Sequence, residues 1–159
     1  MAGNAGATAD TGTITAATVT QTAGTGTSRF AQIDTNAAGG VDLNGAAFAL
    51  NGGVTTTAGG PLTVTNSGTL TIADTTGPAD TATVDIDLDG AFTQDGAGGV
   101  SIAGEITTTA DDVAFNGAVS LTGAVAMDTA VGIGDITFSS TVDGGQPLSL
   151  TAGGSGSMK

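Results

Sequence analysis

The sequence predicts an all-β chain wound into a parallel β-solenoid of about six coils, with three short strands in each. Three observations carry this. Short alternating runs such as Ile136-Thr137-Phe138 and Leu148-Ser149-Leu150 have the two-residue period of a strand with one buried face. Gly, Pro or small polar residues separate them, and the runs recur at a step of about 22 residues, a solenoid period. The composition suits thin β layers: 28 Gly and 3 Pro in 159 residues, 39% hydrophobic residues but only 3% aromatic, and no Trp or Tyr. A sandwich also spaces its strands every 8–12 residues or so, but the steady step favours the solenoid.

Taken in order, residues 1–10 read as a frayed end, and the solenoid is placed at residues 11–152. Thr13-Ile14-Thr15 and Thr18-Val19-Thr20 alternate like strands. Arg29-Phe30-Ala31-Gln32-Ile33 fits a short strand, a helical turn or a departing loop equally well. From Val41 the step becomes countable. One series runs Phe48/Leu50 to Leu70/Ile72 to Phe92, and Val113/Phe115 leads to Ile136/Phe138. A second runs Val41/Leu43, Leu62/Val64, Val84/Ile86 and Ile106, resuming near Val125 and at Leu148/Leu150. A third links Val54, Val100/Ile102, Val119/Leu121 and Val142. Residues 153–159, Gly-Gly-Ser-Gly-Ser-Met-Lys, have the composition of a flexible linker or tail.

A single coil of this kind cannot bury its inward side chains, but stacked coils lie about 4.8 Å apart and bury them against one another. The expected core is Phe48, Leu70, Phe92, Phe115 and Phe138, in one column or two adjacent ones. Gly45, Gly52, Gly53, Gly90, Gly117, Gly123 and Gly144 fall where the chain must turn, often at φ > 0.

The segments GDITFSSTVDGGQPLSLTAG and DDVAFNGAVSLTGAV resemble the repeats of filamentous-haemagglutinin-type adhesins, very large bacterial surface proteins. The resemblance covers roughly residues 41–153 and is to a style of repeat. It implies a right-handed parallel β-helix, an extended shaft, and a non-catalytic role in adhesion or surface display. It also implies an extracellular or cell-surface location, although no export signal follows Met1. The candidate partners are neighbouring repeats of a parent protein or a surface glycan or protein ligand and, because the terminal coils of a solenoid expose open strand edges, self-association through terminal strands.

The charge narrows the alternatives. Fifteen acids face two bases, Arg29 and Lys159, for a formal net charge of −13. Phosphate backbones need Lys and Arg, so nucleic acid is excluded as a partner, and an anionic membrane surface likewise. From Phe30 to Met158 there is no cation, so no salt bridge is expected for the acids there. There is no Cys, hence no disulfide and no thiolate site.

Chemistry has little to draw on, with no His, Cys or Tyr. Paired carboxylates can cleave glycans, but the five Phe residues are better used in the core than as sugar platforms. No cofactor is required, and calcium is the one candidate. In Val84-Asp85-Ile86-Asp87-Leu88-Asp89-Gly90, Asp85, Asp87, Asp89 and Gly90 match the opening of a calcium loop. The twelfth position, however, is Gly96 where a bidentate Glu belongs. Read as a strand, the segment points Val84, Ile86 and Leu88 inward and the three Asp outward, where an unpaired row of carboxylates would gain from a cation. Ice binding needs Thr-x-Thr at the same place on successive coils. A uniform register sets Thr63-Val64-Thr65 between Asp42/Asn44 and Asp85/Asp87, which breaks the array.

Overall fold

The computed structural model describes residues 8–75 and 84–159. In coil after coil, the chain lays one strand in a six-stranded sheet and two strand positions in a ten-stranded sheet. The elements are β1 (Thr8–Ala16), β2 (Val19–Gln21), β3 (Thr27–Thr35), β4 (Val41–Gly45), β5 (Ala47–Leu50), β6 (Val54–Thr56), β7 (Leu62–Asn66) and β8 (Leu70–Ile72). They continue as β9 (Ile86–Leu88), β10 (Phe92–Gln94), β11 (Val100–Thr108), β12 (Val113–Phe115), β13 (Val119–Asp128), β14 (Ile136–Phe138), β15 (Val142–Asp143) and β16 (Leu148–Thr151). Every pairing between them is parallel, and the described residues form a β-solenoid of about six turns with no helix.

The six-stranded sheet runs β2-β4-β7-β10-β12-β14. In the larger sheet two ladders lie side by side. Where the corner between them is gentle, both positions merge into one long strand, as in β1, β3, β11 and β13. Arg29–Ile33, left open by the sequence, lies inside β3.

The register bears out the sequence on either side of one point and departs from it there. Phe48 pairs with Leu70, Val41 with Leu62, Val113 with Ile136, and Val125 with Leu148, as the regular step requires. Leu62, however, pairs with Phe92, Leu70 with Val100 and Val54 with Ile86, each step longer than the others by more than a third of a coil. Phe92 therefore does not follow Leu70, Val84/Ile86 do not follow Leu62/Val64, and Val100 does not follow Val54. The coil of β8, β9 and β10 carries extra residues between Ile72 and Ile86, and its neighbours pair across the same plane regardless. Residues 76–83 of that insertion lie outside the described part.

Inward side chains stack as expected. Phe48, Leu70, Phe92 and Phe115 are fully buried and Phe138 is partly buried against them. They fall in three columns, one more than expected: Phe48 and Leu70 in the larger sheet, and in the smaller sheet Phe92 in line with Val113 and, beside it, Phe115 in line with Phe138. The Phe115 ring lies 5.0 Å from Phe92 and 5.4 Å from Phe138, stacked nearly parallel to the latter.

The glycines expected at corners mostly serve another purpose. Of the seven, only Gly144 has positive φ. Gly52 instead lets backbones meet, since a Cβ there would fall 1.3 Å from the Ala31 carbonyl oxygen. The left-handed corner positions include Ala58, Ala110 and Ala130.

Beside these alanines runs a row of buried threonines. Thr56 Oγ1 donates to the Gly60 carbonyl at 2.5 Å and accepts from Asp89 N at 3.1 Å. Thr108 and Thr129 close the equivalent corners through the Asp111 and Gly134 carbonyls. Thr35 Oγ1, in the same row, is buried with no partner.

Residues 153–159 are not a free linker. They carry the chain into register with the smaller sheet, where Ile136 and Met158 form a parallel bridge. Ile136 N donates to the Ser157 carbonyl and Lys159 N to the Ile136 carbonyl. The expectation of no salt bridge fails here as well, because Lys159 pairs with Asp135. The return of the tail, one full coil after Ile136, brings the terminal cation onto an acid of the preceding coil. Of the expected frayed segment 1–10, residues 1–7 lie outside the described part, and Thr8–Asp10 belong to β1.

Candidate functional site

The three candidate calcium ligands are dispersed. Asp85 precedes β9 by one residue and is buried, contrary to the expected outward row. Its strand parity is outward, because Ile86 pairs with Ile106 inside. The base of the insertion folds over it. Thr75 N donates to Asp85 Oδ1 at 2.9 Å and Thr75 Oγ1 donates at 2.5 Å. On the other oxygen, Glu105 N of the next coil donates to Oδ2 at 3.0 Å. The carboxylate thus ties both ends of the insertion together and fastens them to β11. Its two oxygens are occupied by three donors from the protein itself.

Room for it comes from Gly104. A Cβ there would stand 1.8 Å from Asp85 Oδ2, and φ at Gly104 is +93°. Gly104 also marks an irregular step, where Ile102 and Gly104 face Leu121 and Val125 of β13. The missing side chain leaves a socket that the carboxylate fills.

Asp87 is exposed on the outer face, within one unbroken column. Successive pairings give Thr15, Asp34, Thr55, Asp87, Thr107, Asp128 and Thr151. Thr and Asp alternate at every step. Like charges stacked directly across a ladder repel, and here each pair of acids stands two coils apart, about 9.6 Å. Asp89 belongs elsewhere, at the corner leading into β10, where its Oδ2 accepts from Gly59 N at 2.9 Å. Among the described residues no three acids gather to hold a metal ion.

A groove of ≈ 380 Å³ crosses successive corners between the two sheets, past Asn44, Thr65, Asn66, Ser67 and Asp95. Behind it Gln94 is completely buried and fully bonded. Its Nε2 donates to Asn66 Oδ1 at 2.7 Å and to the Gly96 carbonyl at 2.9 Å, and its Oε1 accepts from Asn116 N and Gly117 N. Asp95 Oδ1 takes the Asn116 side-chain amide at 2.8 Å. These polar groups are spent on holding coils together.

A smaller, mostly apolar pocket of ≈ 200 Å³ lies on the outer face between Glu105, Ala124, Pro147 and Leu148. Glu105 is buried there.

The corrected register also changes the threonine face. Thr63 pairs with Asp42 on one side, as expected, but with Thr93 on the other, not Asp85. The column then reads Thr20, Asp42, Thr63, Thr93, Ala114 and Thr137. Asp42 and Ala114 still interrupt it.

Sequence reasoning missed Asp85 as a clasp and Gln94 as a buried anchor. A signal for the corners was present in the runs Thr56-Thr57-Ala58, Thr108-Thr109-Ala110 and Thr129-Ala130. Fold and site together define a β-solenoid whose polar side chains chiefly join one coil to the next. No family model, curated protein or solved structure matches the chain.

Proposed function

We propose that the chain is a structural, adhesive shaft segment of a large secreted bacterial surface protein, non-catalytic and needing no cofactor. The observation that carries the reading is the unbroken pairing of each sheet from β1 and β2 through β14 and β16, which makes a continuous rod. Side-chain ties between coils, at Thr56, Asp85 and Gln94, support it, as does the resemblance to filamentous-haemagglutinin-type repeats. A rod of this kind spaces or displays a partner at a distance, and its outer columns of Thr, Asp and Asn keep it solvated.

Antibodies against the purified chain should label intact cells of the organism that encodes it, and protease added to whole cells should abolish the labelling. Labelling only after lysis contradicts the reading. Release of reducing sugar from any surface polysaccharide by the purified chain contradicts the non-catalytic part.

A further inference from the structure

We propose that the C-terminal face of the solenoid is a docking surface for the N-terminal face of a second copy of this chain, giving a head-to-tail stack in one continuous register. The inference concerns the 159-residue chain by itself and rests on its coil register, and its test does not depend on where the chain serves.

The C-terminal face is an apolar floor with open strand edges. Val142, Leu148 and Met158 are 38%, 37% and 58% exposed, although all three occupy inward positions of the pairing columns. Together with the partly buried Leu150 they are the layer on which another coil would lie. The N-terminal face has a matching outline, since β1 and β2 occupy the same two sheets. Continuing the columns by one step sets Ile14 of the second copy on Leu150 and Val19 on Met158. Parallel pairing fixes the polarity, because only a translated copy presents N-terminal strands in the right direction.

The outer columns agree with that polarity. Arg29 and Asp143 share one column, near opposite ends of the chain. Stacking places Thr8, the partner of Arg29, on Asp143, so the two charges come within two coil rises, about 9.6 Å. On the smaller sheet, Lys159 follows Met158 and would meet Thr20, whose neighbour is Asp42, again two rises away. Both bases of the chain thus approach an acid across the junction. In the alternating column Thr151 meets Thr15, which holds Asp128 and Asp34 three rises apart, one more than within the chain. The junction carries less like-charge repulsion than the interior does.

The net charge of −13 keeps copies apart at low salt. At about 0.1 M salt the screening length is about 10 Å, so rod-to-rod repulsion fades while the junction pairs still attract. A heterologous contact of this kind does not close and propagates into a filament.

The test uses the absence of native Cys. Thr15 and Thr151 are exposed and stand at opposite ends of one column. In a stack their Cα atoms lie about 4.8 Å apart, inside the disulfide range of about 4.4–6.8 Å. The full-length Thr15→Cys/Thr151→Cys variant, oxidised at about 0.1–0.2 M salt, should give a ladder of dimers, trimers and longer species on non-reducing gels, with peptide mapping showing a 15–151 link. Each single variant should stay monomeric. Adding Leu148→Asp should abolish the ladder while circular dichroism is unchanged. A double variant that stays monomeric overturns the proposal, and so do dimers formed by either single variant, which would report symmetric contacts.

Discussion

Asp85 Oδ2 occupies the space that a side chain on Gly104 would need, 1.8 Å from the missing Cβ. The two residues belong to neighbouring coils, and the contact holds down the one coil that carries an insertion. Gly104→Ala should cost about 2–4 kcal/mol, combining a buried clash with an unfavourable φ. Asp85→Ala should cost about 1–3 kcal/mol by leaving Glu105 N and Thr75 N without their acceptor. The double variant should be more stable than the sum of the two losses implies, because removing the carboxylate makes room for the new methyl. Denaturant melts of the three variants check this, and strict additivity would show that the two residues are not coupled.

The threonine row offers a paired comparison. Thr35→Val removes a buried hydroxyl that has no partner and should stabilise the protein by about 1 kcal/mol. Thr56→Val removes one that bonds both Gly60 and Asp89, and should destabilise it by about 1–3 kcal/mol. Shifts of the same sign at both sites would contradict the corner geometry.

Phe115 sits between two aromatic neighbours with no exposure. Phe115→Ala should cost about 3–5 kcal/mol. Equilibrium unfolding of the variant measures it, and a loss under about 1 kcal/mol would place the ring outside the core.

The docked tail should respond to pH. The Lys159 ammonium beside Asp135, followed by the Ser157 amide and hydroxyl, holds the Asp135 carboxyl below its usual 3.8. Its stabilising contribution is therefore present above that value and lost as pH falls through the lowered one. Lys159 is raised above its usual 10.5 by the same partner, so its contribution is present below 10.5 and lost as pH rises through the raised value. The Ser157 amide should be protected from hydrogen exchange at neutral pH and lose its bonded chemical shift under strong acid. An amide resonance that stays unchanged in strong acid would contradict the pairing.

The acids on the outer face predict a response to ionic strength. Asp34, Asp87 and Asp128 repel along one column, and screening should raise the melting temperature. Calcium and sodium chloride at matched ionic strength should act alike, since no three acids converge among the described residues. A saturable, calcium-specific rise would reinstate an ion site.

The coil style, the inward Phe and Leu positions and the pairings on both flanks were legible in the sequence because strand alternation depends only on next-but-one neighbours. The register across residues 73–85 was not. Val84-Asp85-Ile86-Asp87-Leu88 alternates from its first residue, whereas β9 begins only at Ile86, so a uniform count onward from Leu62 lands on a plausible but wrong partner. Asp85 misled for a related reason. Its parity is outward, and what buries it is Thr75, on the far side of an insertion that periodicity cannot register. Gln94 was invisible because its partners come from three coils. The tail was misread because Gly-Ser composition describes a free chain, while Gly153 and Gly156 lie where a Cβ would strike the Gly132 and Gly134 backbone.

The corrected register is the central claim, and Thr63 tests it most directly. Its outward neighbour in the next coil is Thr93, whereas a uniform step would make it Asp85. Paired Cys substitutions at 63 and 93 should form an intramolecular disulfide under mild oxidation, their Cα atoms lying about 4.8 Å apart. The 63/85 pair should remain reduced. A disulfide in the 63/85 pair, with none in the 63/93 pair, would contradict the account.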